Sequence, residues 1–275
     1  MRISVAQLCS SDDPEQNLTA LLREIRAAEE RGVELFCTPE VTNCVSTSRT
    51  HQNAVLYTEE ADPFLLAVRE QAQKSNMAVA LGSLALKLQD DSRFANRSFV
   101  ISAEGEAIAR YDKIHMFDAQ ISDSEGYRES EGFRAGSDAV IAKVAGATLG
   151  LSICYDLRFP SLYRMLAQYG ADVLLVPSAF TVPTGRAHWE PLLRARAIEN
   201  GCFVVAAAQT GTHARSEGRA RETYGHSMIV SPWGEVLLDA GREIGVYDFE
   251  LDLAEVAMAR KRIPSLSGDR DIKGP

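Results

Sequence analysis

The thiol of Cys154 is the side chain in this sequence most suited to covalent chemistry. It lies in residues 150–160 (GLSICYDLRFP), where an apolar, strand-like run ends at Cys154 and a helical pattern opens at Pro160. A thiol in this place faces the first free amides of the following turn, which stabilise a thiolate or a tetrahedral oxyanion. Because most cysteines are small buried hydrophobic residues, the segment alone leaves both interpretations open.

Three ionisable residues could work with that thiol. Glu40 ends the strand-like residues 36–40 (FCTPE), Lys113 lies in residues 111–117 (YDKIHMF), and Glu129 lies in a polar loop. A carboxylate beside a thiol can take its proton and return it to a departing amine. A lysine supplies positive charge where an oxyanion forms, and a second carboxylate can orient that lysine. Each residue alone is more often solvated surface, so the hypothesis requires that they meet.

Composition limits the class of protein. The chain has 275 residues, 45% hydrophobic and 24% charged, with a formal charge of −9. This charge argues against a nucleic-acid backbone as the main partner. No apolar run approaches the roughly 18 residues that cross a bilayer, and we see no export signal at the N-terminus. We therefore expect neither a nucleic-acid nor a membrane partner.

The cysteines favour a reducing compartment. Their number is odd, and none forms a C-x-x-C pair, so a disulfide framework or a structural zinc site is not expected. This pattern predicts reduced thiols in the cytoplasm. The cysteines are Cys9, Cys37, Cys44, Cys154 and Cys202.

Strand-like and helix-like patterns alternate along the chain, which is typical of an α/β protein. Asp13-Pro14 and Asp62-Pro63 are typical helix starts, and Gly32 is a typical stop. Strands are predicted at 2–8, 33–37, 77–86, 97–102, 107–110, 139–144, 148–153, 172–176 and 202–208, helices at 161–169 and 184–200, and a hairpin at 228–238.

Two similar hairpins indicate two similar halves. Residues 100–108 (VISAEGEAI) resemble residues 229–237 (IVSPWGEVL), and strand–helix–strand units precede both. Each half has an apolar sheet face to bury, which packing sheet on sheet with helices outside achieves. No flexible linker is evident, so we expect a single domain over residues 1–275, with about 260–275 as an extended C-terminal arm.

Three motifs make the chain recognisable. Residues 38–40 (TPE), 111–115 (YDKIH) and 152–160 (SICYDLRFP) occur in the order found in the nitrilase superfamily of carbon–nitrogen hydrolases, which the chain resembles over nearly its whole length. The resemblance implies a four-layer α-β-β-α sandwich. It also implies homo-oligomers, at least dimers, and no metal or organic cofactor.

The same resemblance implies roles for the reactive residues. Cys154 matches the nucleophile, Glu40 the general base and acid, and Lys113 the oxyanion stabiliser, helped by the backbone N–H of Tyr155. Glu129 matches the additional glutamate of the site, and Glu131 is the neighbour with which it could be confused.

The second half of the chain is similar to an amidase branch that includes deaminated-glutathione amidases and ω-amidases. Residues 177–190 and 193–200 carry this similarity, and residues 205–213 and 224–228 are closer to the former type. We expect cleavage of a small linear carboxamide to acid and ammonia. An ω-amidase for α-keto or dicarboxylic monoamides is the alternative, and a nitrilase or N-carbamoyl amidase is less favoured. The side chains expected to contact substrate are Tyr155, Arg158, Phe180 and Thr184.

A basic segment follows Gln209. His213, Arg215, Arg219 and Arg221 could clamp substrate carboxylates, or they could belong to a solvated mobile loop. His188-Trp189 on the predicted long helix is interpreted as packing, with a place in the pocket wall as the alternative.

Two other classes of function compete with the amidase. A cysteine–histidine protease or transferase requires His115, His188 or His226 beside Cys154. A binding protein that has kept the fold requires no such pair, although the retained Glu40, Lys113 and Cys154 argue against it.

Overall fold

The computed structural model of the protein describes residues 1–122, 125–270 and 273–274, except the side chain of Ser122. This part of the chain forms two six-stranded β-sheets and two small two-stranded sheets. The strands are β1 (Arg2–Gln7), β2 (Leu35–Cys37), β3 (Ala78–Lys87), β4 (Phe94–Ile101), β5 (Ala107–Asp112), β6 (Asp118–Ser122), β7 (Glu125–Arg128), β8 (Ile141–Val144), β9 (Ala147–Leu151), β10 (Val173–Leu175), β11 (Phe203–Ala206), β12 (Thr210–Thr212), β13 (Glu222–Tyr224), β14 (Met228–Val230), β15 (Val236–Asp239) and β16 (Gly245–Glu250).

The two large sheets repeat one topology. Their strand orders are β16-β1-β2-β3-β4-β5 and β8-β9-β10-β11-β14-β15. In each, three central parallel strands are flanked by one antiparallel strand on one edge and an antiparallel hairpin on the other. The strand directions therefore repeat in the two halves, although β16 reaches its edge from the opposite end of the chain.

The two hairpins match in detail. Both contain a register shift at the same place, after Val100 in one and after Ile229 in the other. Ser102 and Ser231 each donate a backbone N–H to a glutamate carbonyl four residues on, at 2.8 and 2.9 Å. The sequence similarity between the hairpins thus reflects one shared turn geometry.

Six helices complete the layers of the described chain. A core cluster joins the first sheet to the buried faces of α1 and α3, and another joins the facing sides of the two sheets and continues to α4 and α5. The expected four-layer α-β-β-α architecture is confirmed. The helices are α1 (Pro14–Glu30), α2 (Arg49–Val55), α3 (Pro63–Ser75), α4 (Pro160–Gln168), α5 (Val182–Asn200) and α6 (Ala254–Arg262).

The predicted starts of α1 and α3 are confirmed by their caps. The Asp13 carboxylate accepts the backbone N–H groups of Glu15 and Gln16, at 3.0 and 3.1 Å. Asp62 accepts the N–H of Leu65 at 2.8 Å. These bonds satisfy amides that have no partner inside the helix, and proline follows each cap.

Several short elements were absent from the sequence prediction: α2, the β6–β7 and β12–β13 hairpins, and β16. Short strands carry too few residues to show a period of two, and β16 pairs with β1 across almost the entire chain.

The prediction that an extended C-terminal arm begins at about residue 260 places its start too early. Helix α6 continues to Arg262, and a 3₁₀ helix spans Ser265–Gly268. Arg164 on α4 then forms an ion pair with Asp269. Among the residues described, no helix has both the length and the apolar character needed to cross a bilayer.

Candidate active site

Cys154 lies where strand β9 gives way to a 3₁₀ helix, Cys154–Arg158. Its φ of 51° is in the left-handed region, which costs a non-glycine residue about 1 kcal/mol or more and requires support from its surroundings. Its N–H donates to the Pro177 carbonyl at 2.9 Å, and the residue is 8% exposed. The turn therefore presents the thiol at the end of the strand, as expected.

Glu40 follows strand β2 and is buried at 3% exposure. One carboxylate oxygen accepts the Lys113 ammonium and the Asn96 amide, each at 2.9 Å. The other accepts the N–H of Ala179 at 2.9 Å. These donors hold Glu40 in one orientation, with its carboxylate close enough to the Cys154 thiol for each group to shift the pKa of the other.

Lys113 is buried between two glutamates. Its Nζ lies 2.9 Å from Glu40 and 2.9 Å from both carboxylate oxygens of Glu129. Glu129 also accepts the backbone N–H of Phe117 at 2.6 Å. The structure thus brings together the four residues nominated from the sequence. Glu129 meets Lys113, whereas its neighbour Glu131 does not line the cavity.

Ion pairing keeps the glutamate and the lysine charged despite burial. Burial acts to raise the pKa of Glu40, but the positive charges of Lys113 and Arg221 outweigh it and lower that pKa. Burial acts to lower the pKa of Lys113, but Glu129 and Glu40 raise it well above its usual range. Carboxylate and ammonium therefore both stay ionised at neutral pH.

The nucleophile is stored as a thiol. Burial and the nearby Glu40 charge raise the pKa of Cys154 far above its usual range, and Lys113 opposes them only in part. A neutral thiol beside an ionised carboxylate is the arrangement of a nucleophile with its general base. It differs from a preformed thiolate ion pair, in which the thiol pKa is lowered.

Asp156 connects the thiol segment to the lysine segment. One oxygen of this fully buried carboxylate accepts the Ile153 N–H at 2.8 Å and the Tyr111 hydroxyl at 2.7 Å. The other accepts the N–H and the ring nitrogen Nδ1 of His115, at 3.0 and 2.7 Å. Since Ile153 precedes Cys154 while Tyr111 and His115 flank Lys113, one side chain fixes both segments.

Gly82 permits a close approach behind Glu40. A Cβ on this residue would lie 2.0 Å from the Thr38 carbonyl oxygen and 2.5 Å from the Pro177 side chain. Thr38 belongs to the Glu40 segment of the first half and Pro177 to the Ala179 segment of the second. The absence of a side chain at position 82 lets these two segments pack closely.

Cys154, Glu40, Lys113, Glu129 and Asn96 form what we call the floor of a cavity of about 220 Å³. The four side chains expected to contact substrate, Tyr155, Arg158, Phe180 and Thr184, all line it. The Arg158 guanidinium lies 5.8 Å from the centre of the Tyr155 ring and 5.7 Å from that of Phe180. Their contact with substrate itself remains a prediction. Four more arginines line the cavity: Arg49, Arg128, Arg219 and Arg221.

The basic segment divides into two groups. Arg219 and Arg221 line the cavity, whereas Arg215 is exposed and donates to the Gly218 carbonyl at 3.1 Å. His213 is buried and bonded to the Ser10 carbonyl at 2.7 Å, and burial lowers its pKa to about 4. His213 is therefore neutral at neutral pH and cannot be part of a cationic clamp.

The histidines lie away from the thiol. His115 bonds to Asp156, His188 is exposed and contacts Arg158 at 3.3 Å, and His226 bonds to Asp239 at 2.9 Å. The expectation that His188 is a packing residue is wrong, whereas Trp189 is 1% exposed and packs as expected; neither residue lines the cavity. Because the ionisable groups that act on the Cys154 thiol are Glu40 and Lys113, and no histidine lines the cavity within the described residues, the cysteine–histidine alternative is not supported.

Asn96 is a site residue that sequence reasoning missed. It lies on β4, 2% exposed, and its amide donates to Glu40 and, at 3.4 Å, to Glu129. The signal available was a polar residue inside a largely apolar strand, FANRSFVI. In the described parts of the chain, no group of three or more His, Cys, Asp or Glu side chains is arranged to hold a metal ion.

Comparison with known proteins identifies the family. The carbon–nitrogen hydrolase family model matches residues 2–261. The chain belongs to the carbon–nitrogen hydrolase family. It is 36% identical to a deaminated glutathione amidase of Yersinia enterocolitica, covering 98% of this chain and 93% of that protein. It is 39% identical to the Dictyostelium discoideum deaminated glutathione amidase, over 96% and 91% of the two chains.

A solved structure agrees with the fold. The C. elegans NitFhit protein superposes with a TM-score of 0.89 at 38% identity, covering 98% of this chain and 65% of that one. The resemblance to the nitrilase superfamily is therefore confirmed, and the protein is a carbon–nitrogen hydrolase of the amidase type.

Proposed function

We propose that this hydrolase cleaves a small linear amide of the deaminated-glutathione type through a thioester on Cys154. The observation that carries the proposal is the arrangement in which Lys113 lies 2.9 Å from both Glu40 and Glu129 while Cys154 lines the same cavity. The names of the similar amidases support the substrate class.

Acylation uses the proton stored on the thiol. Glu40 takes that proton as sulfur attacks the amide carbon, and the carbonyl oxygen becomes an oxyanion. The Lys113 ammonium and the Tyr155 N–H, at the start of the 3₁₀ helix, stabilise this charge. Glu40 then gives the proton to the leaving nitrogen, the C–N bond breaks, and ammonia or an amine departs.

Deacylation reuses the same base. Glu40 takes a proton from a water molecule whose oxygen attacks the thioester carbon. The C–S bond breaks, the carboxylic acid leaves, and the proton returns to sulfur. Glu129 takes no proton in this scheme, because its place is to keep Lys113 charged and oriented.

A panel of amides tests the proposal, with release of ammonia or amine as the measurement. The panel includes a deaminated-glutathione-type amide, dicarboxylic monoamides, simple aliphatic amides, a nitrile and an N-carbamoyl amino acid. We expect the first class to give the highest kcat/KM and the Cys154→Ala variant to give no turnover. A preference for short dicarboxylic monoamides would favour the ω-amidase alternative. A folded protein that turns over none of them would favour a binding function.

The cellular setting is also proposed. All five cysteines are free, which supports a reducing compartment such as the cytoplasm. Met165 on α4, Tyr169 at the C-terminal cap of α4 and Ile198 on α5 are exposed, at 47%, 73% and 53% accessibility. These apolar side chains support a homo-oligomer joined through the two helices. Analytical ultracentrifugation tests the assembly, and a monomer at micromolar concentration would contradict it.

A further inference from the structure

Arginine side chains line the mouth of the cavity. Its five arginines form no ion pair with any carboxylate of residues 1–122, 125–270 or 273–274. A chain of net charge −9 has ample carboxylates to pair with them. Clustered unpaired guanidinium groups beside a cavity are suited to a carboxylate ligand, which they bind through two parallel hydrogen bonds.

Two of these arginines come from the 213–221 loop, which joins β12 to β13. Arg221 donates to the Ala179 carbonyl at 3.0 Å, and the N–H of Ala179 donates to Glu40. Arg221 therefore bonds to the same residue, Ala179, whose N–H orients the Glu40 carboxylate. The Arg219 guanidinium lies 5.3 Å from the centre of the Tyr127 ring, which also lines the cavity.

The loop is fastened in place at several points. Ser216 donates its N–H and its hydroxyl to the Asp12 carboxylate, each at 2.7 Å. Thr47 exchanges hydrogen bonds with the Arg219 backbone at 2.8 and 3.0 Å, and Ser48 donates to Glu217 at 3.0 Å. These contacts hold the loop backbone in place. Arg219 and Arg221 therefore lose less conformational entropy when they bind a ligand.

We propose that Arg219 and Arg221, carried by the 213–221 loop, bind a carboxylate of the substrate and make the enzyme select anionic amides. This inference rests on the proposed function, because the amide and its carboxylate occupy the same cavity. The carboxylate belongs to the acyl part or to the amine part of the substrate, and both sources share the same recognition chemistry.

The test compares substrates that differ only in charge. Glutaramate and glutaramide form an acyl-side pair, and N-butyrylglycine and N-butyrylglycinamide form an amine-side pair. Selectivity is the ratio of kcat/KM for the anion to that for its neutral partner, taken per scissile amide. We expect Arg219→Gln and Arg221→Gln each to lower this ratio about tenfold or more in one of the two substrate pairs. The pair that responds shows whether the bound carboxylate belongs to the acyl part or to the amine part of the substrate.

Arg215→Gln is the matched control, since Arg215 lies on the same loop and does not line the cavity. It should leave both ratios at the wild-type value. Arg219→Lys, which keeps the charge and loses the fork, should fall between wild type and Arg219→Gln. It also keeps the test usable if the glutamine variant does not fold. Ratios unchanged in both pairs would overturn the inference.

A binding measurement separates this inference from the proposed reaction. In a Cys154→Ala background, calorimetry with glutarate and with N-acetylglycine requires no turnover. We expect added Arg219→Gln to weaken one of these ligands about tenfold relative to added Arg215→Gln. This loss without any amide turnover by wild type would sustain the carboxylate site and reject the amidase proposal. Equal affinities of the Cys154→Ala/Arg219→Gln and Cys154→Ala/Arg215→Gln variants for both ligands would reject the carboxylate site.

Discussion

The floor and the mouth of the cavity treat charge in opposite ways. On the floor, Lys113 is paired with Glu40 and Glu129, and Asn96 donates to both carboxylates. At the mouth, five arginines have no carboxylate partner within the described chain. The floor is ready for a charge that appears only during reaction. The mouth is arranged for a charge that the substrate already carries.

Removal of the floor's cation should have the largest effect. In Lys113→Met the buried Glu40 and the half-buried Glu129 lose the ammonium between them, so the pKa of Glu40 rises and the oxyanion loses a donor. We expect kcat/KM to fall by about 10³ or more, measured as ammonia release. Lys143→Met, at an exposed position on β8, is the control. A Lys113→Met enzyme within tenfold of wild type would show that the ammonium is not needed at the floor.

Glu129 offers the next test, because its neighbour provides a matched comparison. Glu129→Gln removes one of the two charges that hold Lys113, and we expect kcat to fall about 10- to 100-fold with a smaller change in KM. Glu131→Gln changes a carboxylate two residues away that does not line the cavity, and it should remain close to wild type. Equal losses in the two variants would contradict the assignment of Glu129 to the floor.

The next test concerns how the floor is held together. Asp156→Asn places an amide where four donors now meet a carboxylate, so donor faces donor and the Cys154 and Lys113 segments separate. We expect kcat to fall about tenfold or more, with a comparable fall in the alkylation rate of Cys154 by iodoacetamide. Melting temperature provides the second readout, because a purely structural role would lower stability and leave these rates intact in the folded enzyme.

The smallest effect concerns pH. The pKa of Glu40 is below its usual value of about 4.3, so the base stays ionised and kcat/KM should be flat from about pH 5.5 to 8. The contribution of ionised Glu40 to the stability of the fold is present above the pKa that this carboxyl has in the unfolded chain. It is lost as the pH falls through the lower pKa of the folded protein. Because the Cys154 pKa is raised, no thiolate ionisation should appear near pH 8.5. A tenfold rise in alkylation rate per pH unit between 7 and 9 would contradict the stored thiol.

The sequence predicts the floor better than the mouth for a physical reason. Cys154 and Glu40 each follow a strand whose pattern is local, one strand in each of the two large sheets. Asp13 and Asp62 start their helices through bonds only two or three residues long. Such features depend on neighbours in sequence and can be read from it.

The mouth depends on contacts between distant residues. Whether His213 or Arg221 reaches the cavity is decided by the β12–β13 pairing and by the ties of the loop to Asp12 and Thr47, about 170 to 200 residues away. Asn96 joins the floor through the register of β4 beside β3. No local pattern encodes these placements, so sequence reasoning could not tell which of the four basic residues of the loop line the cavity.

Rapid-quench mass spectrometry of the Cys154 peptide tests the central claim most directly. Brief exposure of wild type to a cleaved amide should add the mass of the acyl group to Cys154, and hydrolysis should remove it on the time scale of turnover. Cys154→Ala should carry no adduct and release no amine. Amide turnover that continues in Cys154→Ala, or an acyl group carried by another residue, would contradict the account.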